Sequence, residues 1–351
     1  MSDKYTKQDF SELRDFIPEV VDEFKDIRRK KTFEQKSLDN IVTFEGGIRF
    51  HKEVGYMGRL ADIGRKSTAG NCKFDRTEAL ITTEKKEWNP RPYKDRLVFC
   101  AEEYDNTVIR KLHNDGIGKF ESVEDFYFAH FQEDVDRALV RMVNRMYWMA
   151  DSDAKHSDDS PVAGRINPTK DLSLYTMSDG LFKRARVIAG NLSDNYIQLD
   201  QNDFTKEKAL QAAKDAYYDA PFHVKANIRE GGATALCTLA FFDKLSQNFK
   251  AFELESMRTD LENGMQAIRV EGVNWVPVLE WDDMILEHEG GLDKYRFIIT
   301  NKENMLIGVP SVGTWDNFET TYDRVNKEFL VDIFDEFDTQ FEFDNYVMVG
   351  M

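Results

Sequence analysis

The carboxylates of Glu280, Asp282 and Asp283 are the nearest thing to an active-site constellation in this 351-residue chain. They follow the apolar run Val273–Leu279, so a strand could present them at its end, where clustered carboxylates can hold a divalent metal for hydrolysis. A charged strand end is the commoner explanation of the same residues. Asp151-Ser152-Asp153 with Asp158-Asp159 offers the oxygen ligands that calcium takes. It lacks the glycine and glutamate of an EF-hand loop, and a solvated linker accounts for it as well. His51, His113, His130, His156, His223 and His288 are scattered, with no pair at metal-ligand spacing. His130 falls in a helical stretch and reads as a surface or hydrogen-bonded histidine. Cys72, Cys100 and Cys237 are too few and too far apart for a disulfide framework or a cysteine zinc site. Cys100, in the apolar stretch Leu97–Cys100, reads as core rather than nucleophile. No G-x-G-x-x-G, P-loop, G-x-S-x-G or H-E-x-x-H motif occurs. The expectation is no catalytic residue, no cofactor and no metal.

Composition narrows the classes further. Hydrophobic residues make up 41%, enough for a core, and the length suggests two or three domains. No apolar run reaches the length of a membrane span. The start MSDKYTKQDF has no apolar signal region, and the sparse cysteines fit a reducing cytoplasm or indifference to oxidation. With 64 Asp+Glu against 47 Lys+Arg the net charge is -17, which disfavours tight sequence-independent binding to phosphates. The densest basic run, Arg28-Arg29-Lys30-Lys31, is short. The 26 Phe, 13 Tyr and 5 Trp either stock a core or lie between chains.

The elements that would position these residues begin with an apolar stripe near the start. Phe10, Leu13, Phe16 and Ile17 share a helical face, continued by Val20, Val21, Phe24 and Ile27 after Pro18. Such a stripe wants a partner surface. Residues 41–50 read as a short strand pair around Gly46-Gly47. Residues 55–86, with scattered glycines and the polar tip Lys66–Asn71, read as a long solvated hairpin. A lone two-stranded ribbon is marginal, so it must lie on something else. Trp88–Tyr104 contains an apolar strand. Ser122 opens the clearest helix, 122–150, with Phe131, Val135, Leu139, Met142 and Met146 on its buried stripe; at 1.5 Å per residue it would be roughly 42 Å long. Residues 151–171 read as a polar linker. Beyond it, Thr205 caps a helix through Tyr218, and Leu236, Leu239, Phe242, Leu245 and Phe249 recur at helical spacing. Met265–Val270 and Val273–Leu279 read as strands. So do Tyr295–Thr300 and Met305–Val309, joined by the turn Asn301–Asn304. The tail alternates through Phe329, Val331 and Ile333, then Phe341, Phe343, Val347 and Val349, so two paired strands are expected to end the chain.

This order of parts resembles the tailed-bacteriophage major capsid proteins of the Hong Kong 97-type fold, over about residues 1–351. The features that carry the resemblance are the charged arm, the hairpin 55–86, the spine helix Ser122–Ala150, and the late runs Gly272–Val278, Asn301–Gly308 and Phe329–Val349. The resemblance implies an α+β fold with an N-terminal arm at 1–40 and an extended β-hairpin loop at 55–86. It implies a peripheral domain at 41–54 and 87–171 with the long spine helix, an axial domain at 172–312, and returning peripheral strands at 313–351. It also implies a structural protein that assembles with itself as pentamers and hexamers into an icosahedral shell around double-stranded DNA. Phe10, Leu13, Phe16, Ile17, Lys66 and Arg76 would then make intersubunit contacts. No long scaffolding region precedes the arm, which implies scaffolding by a separate protein or by the arm itself, with portal and decoration proteins as further partners. Packaged DNA would be touched weakly and without sequence preference, no membrane would be involved, and the site of action would be the virion, assembled in the host cytoplasm. Two other readings stay open: an encapsulin-type compartment shell, and a metal-dependent hydrolase using Glu280–Asp283.

Overall fold

Alternating apolar residues in the second half of the chain build two sheets. The computed structural model describes residues 41–48, 52–60, 81–100, 141–157, 165–251, 258–260, 266–290, 293–310, 318–323 and 328–351. The strands are β1 (Thr43–Glu45), β2 (Lys52–Leu60), β3 (Ile81–Trp88), β4 (Arg91–Cys100), β5 (Lys155–His156), β6 (Arg165–Ile166), β7 (Tyr196–Ile197) and β8 (Thr234–Cys237). They continue with β9 (Arg258–Asp260), β10 (Gln266–Val270), β11 (Val273–Pro277), β12 (Phe297–Thr300), β13 (Met305–Gly308), β14 (Phe318–Asp323), β15 (Glu328–Phe341) and β16 (Met348–Gly350). The α-helices are α1 (Leu181–Asn191), α2 (Lys206–Tyr218), α3 (Phe222–Arg229), α4 (Leu239–Ala251) and α5 (Leu279–Glu289).

The larger sheet has seven strands in the order β7-β16-β12-β8-β11-β10-β9. Its central strands are buried along their length because helices cover both faces. Leu236, Val276, Ile298 and Val349 face one side, against α1, α5 and the stretch Met142–Ala150. Ala235, Cys237, Trp275, Phe297 and Ile299 face the other, against α2, α3 and α4. Thr205 caps α2, its hydroxyl accepting from Lys208 N at 3.4 Å. Ala209, Ala212, Ala213 and Ala216 then give the helix a flat face that lies close on the sheet. Between β10 and β11, Glu271 (φ 49°) and Gly272 (φ 87°) form a tight turn with both residues in the left-handed region.

The second sheet has five strands centred on β15. Residues Glu328–Ile333 of β15 lie between β14 and β4, and residues 338–341 pair with β13. Ile333, Phe337 and Phe341 turn inward to the same core as Met142–Ala150. Beyond β7 the chain crosses between the sheets after β12 and again after β15, and Asn304 ties these two crossings together. Its side-chain amide donates to Thr300 Oγ1 at 2.9 Å and Phe343 O at 3.0 Å, while its Oδ1 accepts from Phe343 N at 2.7 Å. Trp88 packs with Ile48 and Leu306 against Gly308, where an added Cβ would lie 2.5 Å from the indole. Only glycine lets the ring seat there.

Several expectations need correction. Thr43–Glu45 pairs in parallel with β13, and Gly47 and Ile48 bond to Pro310 and Val309; residues 49 and 50 of the expected strand pair lie outside the described residues. β12 and β13 are the two strands expected on either side of Asn301–Asn304, and they enter different sheets. The two tail strands do not pair with each other: β16 joins β12 and β7, whereas β15 stays in the other sheet. Leu236 belongs to β8, not to the helix that starts at Leu239. Within the expected linker 151–171 the described residues are not simply solvated, for β5 and β6 pair and Asp151 is buried; residues 158–164, with Asp158 and Asp159, lie outside the described residues. The described end of the 122–150 helix is α-helical at 141–144 and then a π-turn at Arg145–Met149. This wider turn ends between the sheets, where Met146, Tyr147, Trp148 and Met149 are all buried. No helix among the described residues is long and apolar enough to cross a membrane.

Candidate functional site

The carboxylates singled out as metal ligands do not converge. Glu280, Asp282 and Asp283 lie in the first turns of α5 rather than at a strand end. Asp282 accepts from Leu239 N at 2.5 Å and Ala240 N at 2.9 Å, capping the first turn of α4. Burial pushes its carboxyl pKa above the ordinary value, against the pull of those two N–H groups. Asp283 points to solvent. Among the described residues no three His, Cys, Asp or Glu side chains are arranged to hold a metal ion. The Cys237 thiol is fully enclosed and burial raises its pKa well above the usual value, so it is no nucleophile.

The second acidic candidate already holds a cation of its own. Lys183 Nζ lies 2.8 Å from Asp151, 2.5 Å from Asp153 and 2.9 Å from Asp179, and donates to Ser152 Oγ at 2.9 Å. Burial opposes the ammonium, but the hydrogen bonds to Asp151, Asp153 and Asp179 outweigh it and raise its pKa. The cluster fastens α1 to the chain leaving the π-turn. Its role is positional.

His288 is buried near the end of α5, hydrogen-bonded through Nδ1 to the Tyr175 hydroxyl. Its carbonyl accepts from Asn167 N at 2.7 Å, and Lys170 pairs with Glu287 at 2.7 Å. These contacts dock the segment carrying β5 and β6 on α5. Burial is the main cause that lowers the His288 pKa from 6.5 to about 4. Between those values the unfolded chain binds a proton that the folded chain refuses, so stability falls as pH falls through that window. The slope should reach about 1.4 kcal/mol per pH unit at most. Urea unfolding of wild type at about pH 7 and about pH 5 should show the loss, and His288→Asn should reduce it. Equal pH slopes for the two proteins would remove His288 as the cause.

A groove of about 780 Å³ runs between α1, the 198–202 loop and the segment after α5, lined by Arg165, Arg186, Arg296, Glu289 and Asp293 among others. Arg296 and Glu289 form a buried ion pair at its wall, and Asp200 at its rim is bound by Lys208 at 2.8 Å. Arg186 pairs with Asp151 outside the groove at 3.3 Å, and no nucleophile stands beside a base among the lining residues.

The residues expected at the subunit contacts, Phe10, Leu13, Phe16, Ile17, Lys66 and Arg76, lie outside the described residues, as do Phe131, Val135 and Leu139. Met142 and Met146 are buried in the core shared by the two sheets. Three aromatics the sequence reading passed over form the junction there. Trp148, Phe182 and Trp281 meet where the π-turn, α1 and α5 cross, with Trp281 4.8 Å from each of the other two ring centroids. Among the described residues the β2–β3 ribbon pairs with no other strand, and Val98, Val187, Tyr218, Phe222, Leu279 and Leu286 are exposed.

No protein-family model and no curated protein matches the chain. Solved structures do. A chain of the satellite phage P4 procapsid including the size determination (Sid) protein is similar at TM-score 0.50 and 8% identity, over 92% of this chain and 97% of that one. A chain of the capsid of Myoviridae phage XM1 is similar at TM-score 0.45 and 11% identity, over 91% of this chain and 92% of that one. The holo-SrpI encapsulin complex from Synechococcus elongatus PCC 7942 is similar at TM-score 0.46 and 8% identity, over 91% and 88%. The assignment rests on the first of these: this mixed helix-and-sheet chain has the Hong Kong 97-type capsid fold.

Proposed function

We propose that this chain is the major capsid protein of a tailed bacteriophage, a structural subunit whose copies form pentamers and hexamers of an icosahedral shell around double-stranded DNA. The observation that carries the reading is the likeness over 92% of this chain and 97% of a procapsid chain, which leaves little of either molecule for another task. The candidate carboxylates serve as a helix cap and as partners of Lys183, which supports a structural role over hydrolysis. In this reading residues 1–40 are the arm and 55–86 the extended loop. Residues 41–54 and 87–171 form the peripheral domain and 172–312 the axial domain, with 313–351 returning to the peripheral domain. A separate scaffolding protein, a portal and decoration proteins complete the assembly, which acts as the virion after forming in the host cytoplasm. Packaged DNA meets a chain of net charge -17 and is held weakly.

Negative-stain images of the purified protein test this directly. Closed shells that package DNA when the phage's other components are present are the expected result. Monomers or small oligomers under all conditions would overturn it, and shells filled with a client protein would reassign the chain to a cellular compartment.

A further inference from the structure

One side of α5 is uncovered. Leu279 and Leu286 are 61% and 68% exposed, one i,i+7 step apart, with exposed Asp283 between them. Glu280 and Glu287 flank this ridge, while Trp281, Met284, Ile285 and His288 anchor the opposite side in the interior. Two leucines left in water on so firmly held a helix favour a cover of matching character.

The chain itself contains such a segment. In residues 20–31, Val20, Phe24 and Ile27 recur at i, i+4 and i+7, and Arg28, Arg29, Lys30 and Lys31 follow. The apolar residues match the leucine ridge, and the basic run matches exposed Asp283, with Glu280 and the Lys170-paired Glu287 adding negative charge beside it. The connection is long enough. Ile41 lies in the same core as Trp281 and Met284, and residues 32–40, if extended, reach about 30 Å. The whole of α5 is about 16 Å long at 1.5 Å per residue.

We propose that residues 20–31 dock as a helix on the exposed ridge of α5 of the same chain, with Val20, Phe24 and Ile27 on Leu279 and Leu286 and the basic run on the acidic flank. The docking gives the arm of the proposed capsid subunit a defined seat. It does not depend on shell formation, which is read separately by microscopy.

Zero-length carbodiimide coupling of the full-length protein, followed by gel separation and peptide mass spectrometry, tests it. The Lys170–Glu287 pair, 2.7 Å apart, is the internal control for coupling. In the monomer band, links from Lys25, Lys30 or Lys31 to Glu280, Asp283 or Glu287 are expected. The Leu279→Ser, Leu286→Ser double variant changes only exposed side chains, so its circular dichroism should match wild type. Its yield of these links should drop about tenfold, as loss of two buried leucines would bring. Links confined to dimer and higher bands would assign the ridge to a second copy and overturn the proposal. So would absent links beside a coupled control, or an unchanged yield in the double variant.

Discussion

Replacing residues 62–80 by Gly-Ser is expected to leave each subunit folded and to abolish stable shells. β2 and β3 pair with each other from Lys52↔Trp88 to Leu60↔Ile81, with a register shift between Met57 and Leu60, and join no larger sheet among the described residues. A two-stranded ribbon is marginal in water, and a loop of this length in a compact domain normally carries a role. On the proposed function the ribbon reaches over an adjacent subunit, where its strands and charges find partners. The replacement cuts beyond Trp88, so the Trp88, Ile48 and Leu306 cluster and both main cores are untouched. Circular dichroism and the unfolding temperature of the unassembled subunit should therefore match wild type. Sedimentation velocity should show free capsomers or subunits in place of shells, or shells that dissociate at modest denaturant. Normal shells of normal stability would sink this role for the ribbon and weaken the capsid reading with it.

The largest loss of subunit stability should come from Lys183→Met. The ammonium is the shared partner of Asp151, Asp153 and Asp179, and the Asp151 side chain is only 4% exposed. Removing the cation leaves Asp151 buried with Arg186 at 3.3 Å as its remaining ion partner. Breaking a buried pair from one side costs about 3–5 kcal/mol, a large share of the 5–15 kcal/mol typical of a folded domain, roughly. The contrast is Asp153→Asn. That carboxylate is 83% exposed, and solvent screening limits an exposed pair to about 1 kcal/mol or less. Urea unfolding of the two variants beside wild type separates the cases. Equal, small losses would mean that Arg186 takes over the charge and that Lys183 is dispensable.

How much of this was legible in the sequence depends on the range over which each signal acts. The Thr205 cap and the helix through Tyr218 were readable because a cap and a helical run are local. The β10–β11 turn was readable from Gly272 for the same reason. The tail failed because alternation marks a strand without naming its partner: β15 and β16 are near in sequence and lie in different sheets. The acidic run at 151–153 misled because its cation, Lys183, is supplied from thirty residues away. The aromatic junction of Trp148, Phe182 and Trp281 was missed because isolated aromatics far apart in sequence carry no spacing signal.

The sequence by itself determined the inventory of this protein: a chain able to build a core, with none of the common catalytic motifs, a long ribbon, and an order of parts that resembles that of tailed-phage capsid proteins. Those are matters of composition, period and turn chemistry, which a linear string contains. Only the tertiary structure decided which strand lies beside which, that Asn304 binds the two crossings between sheets, and that Asp282 and Asp151 are held by α4 and Lys183. Each of those contacts joins residues brought together by packing, and burial sets their energies: a carboxylate free in water becomes a cap or an ion pair only where the surrounding chain excludes solvent.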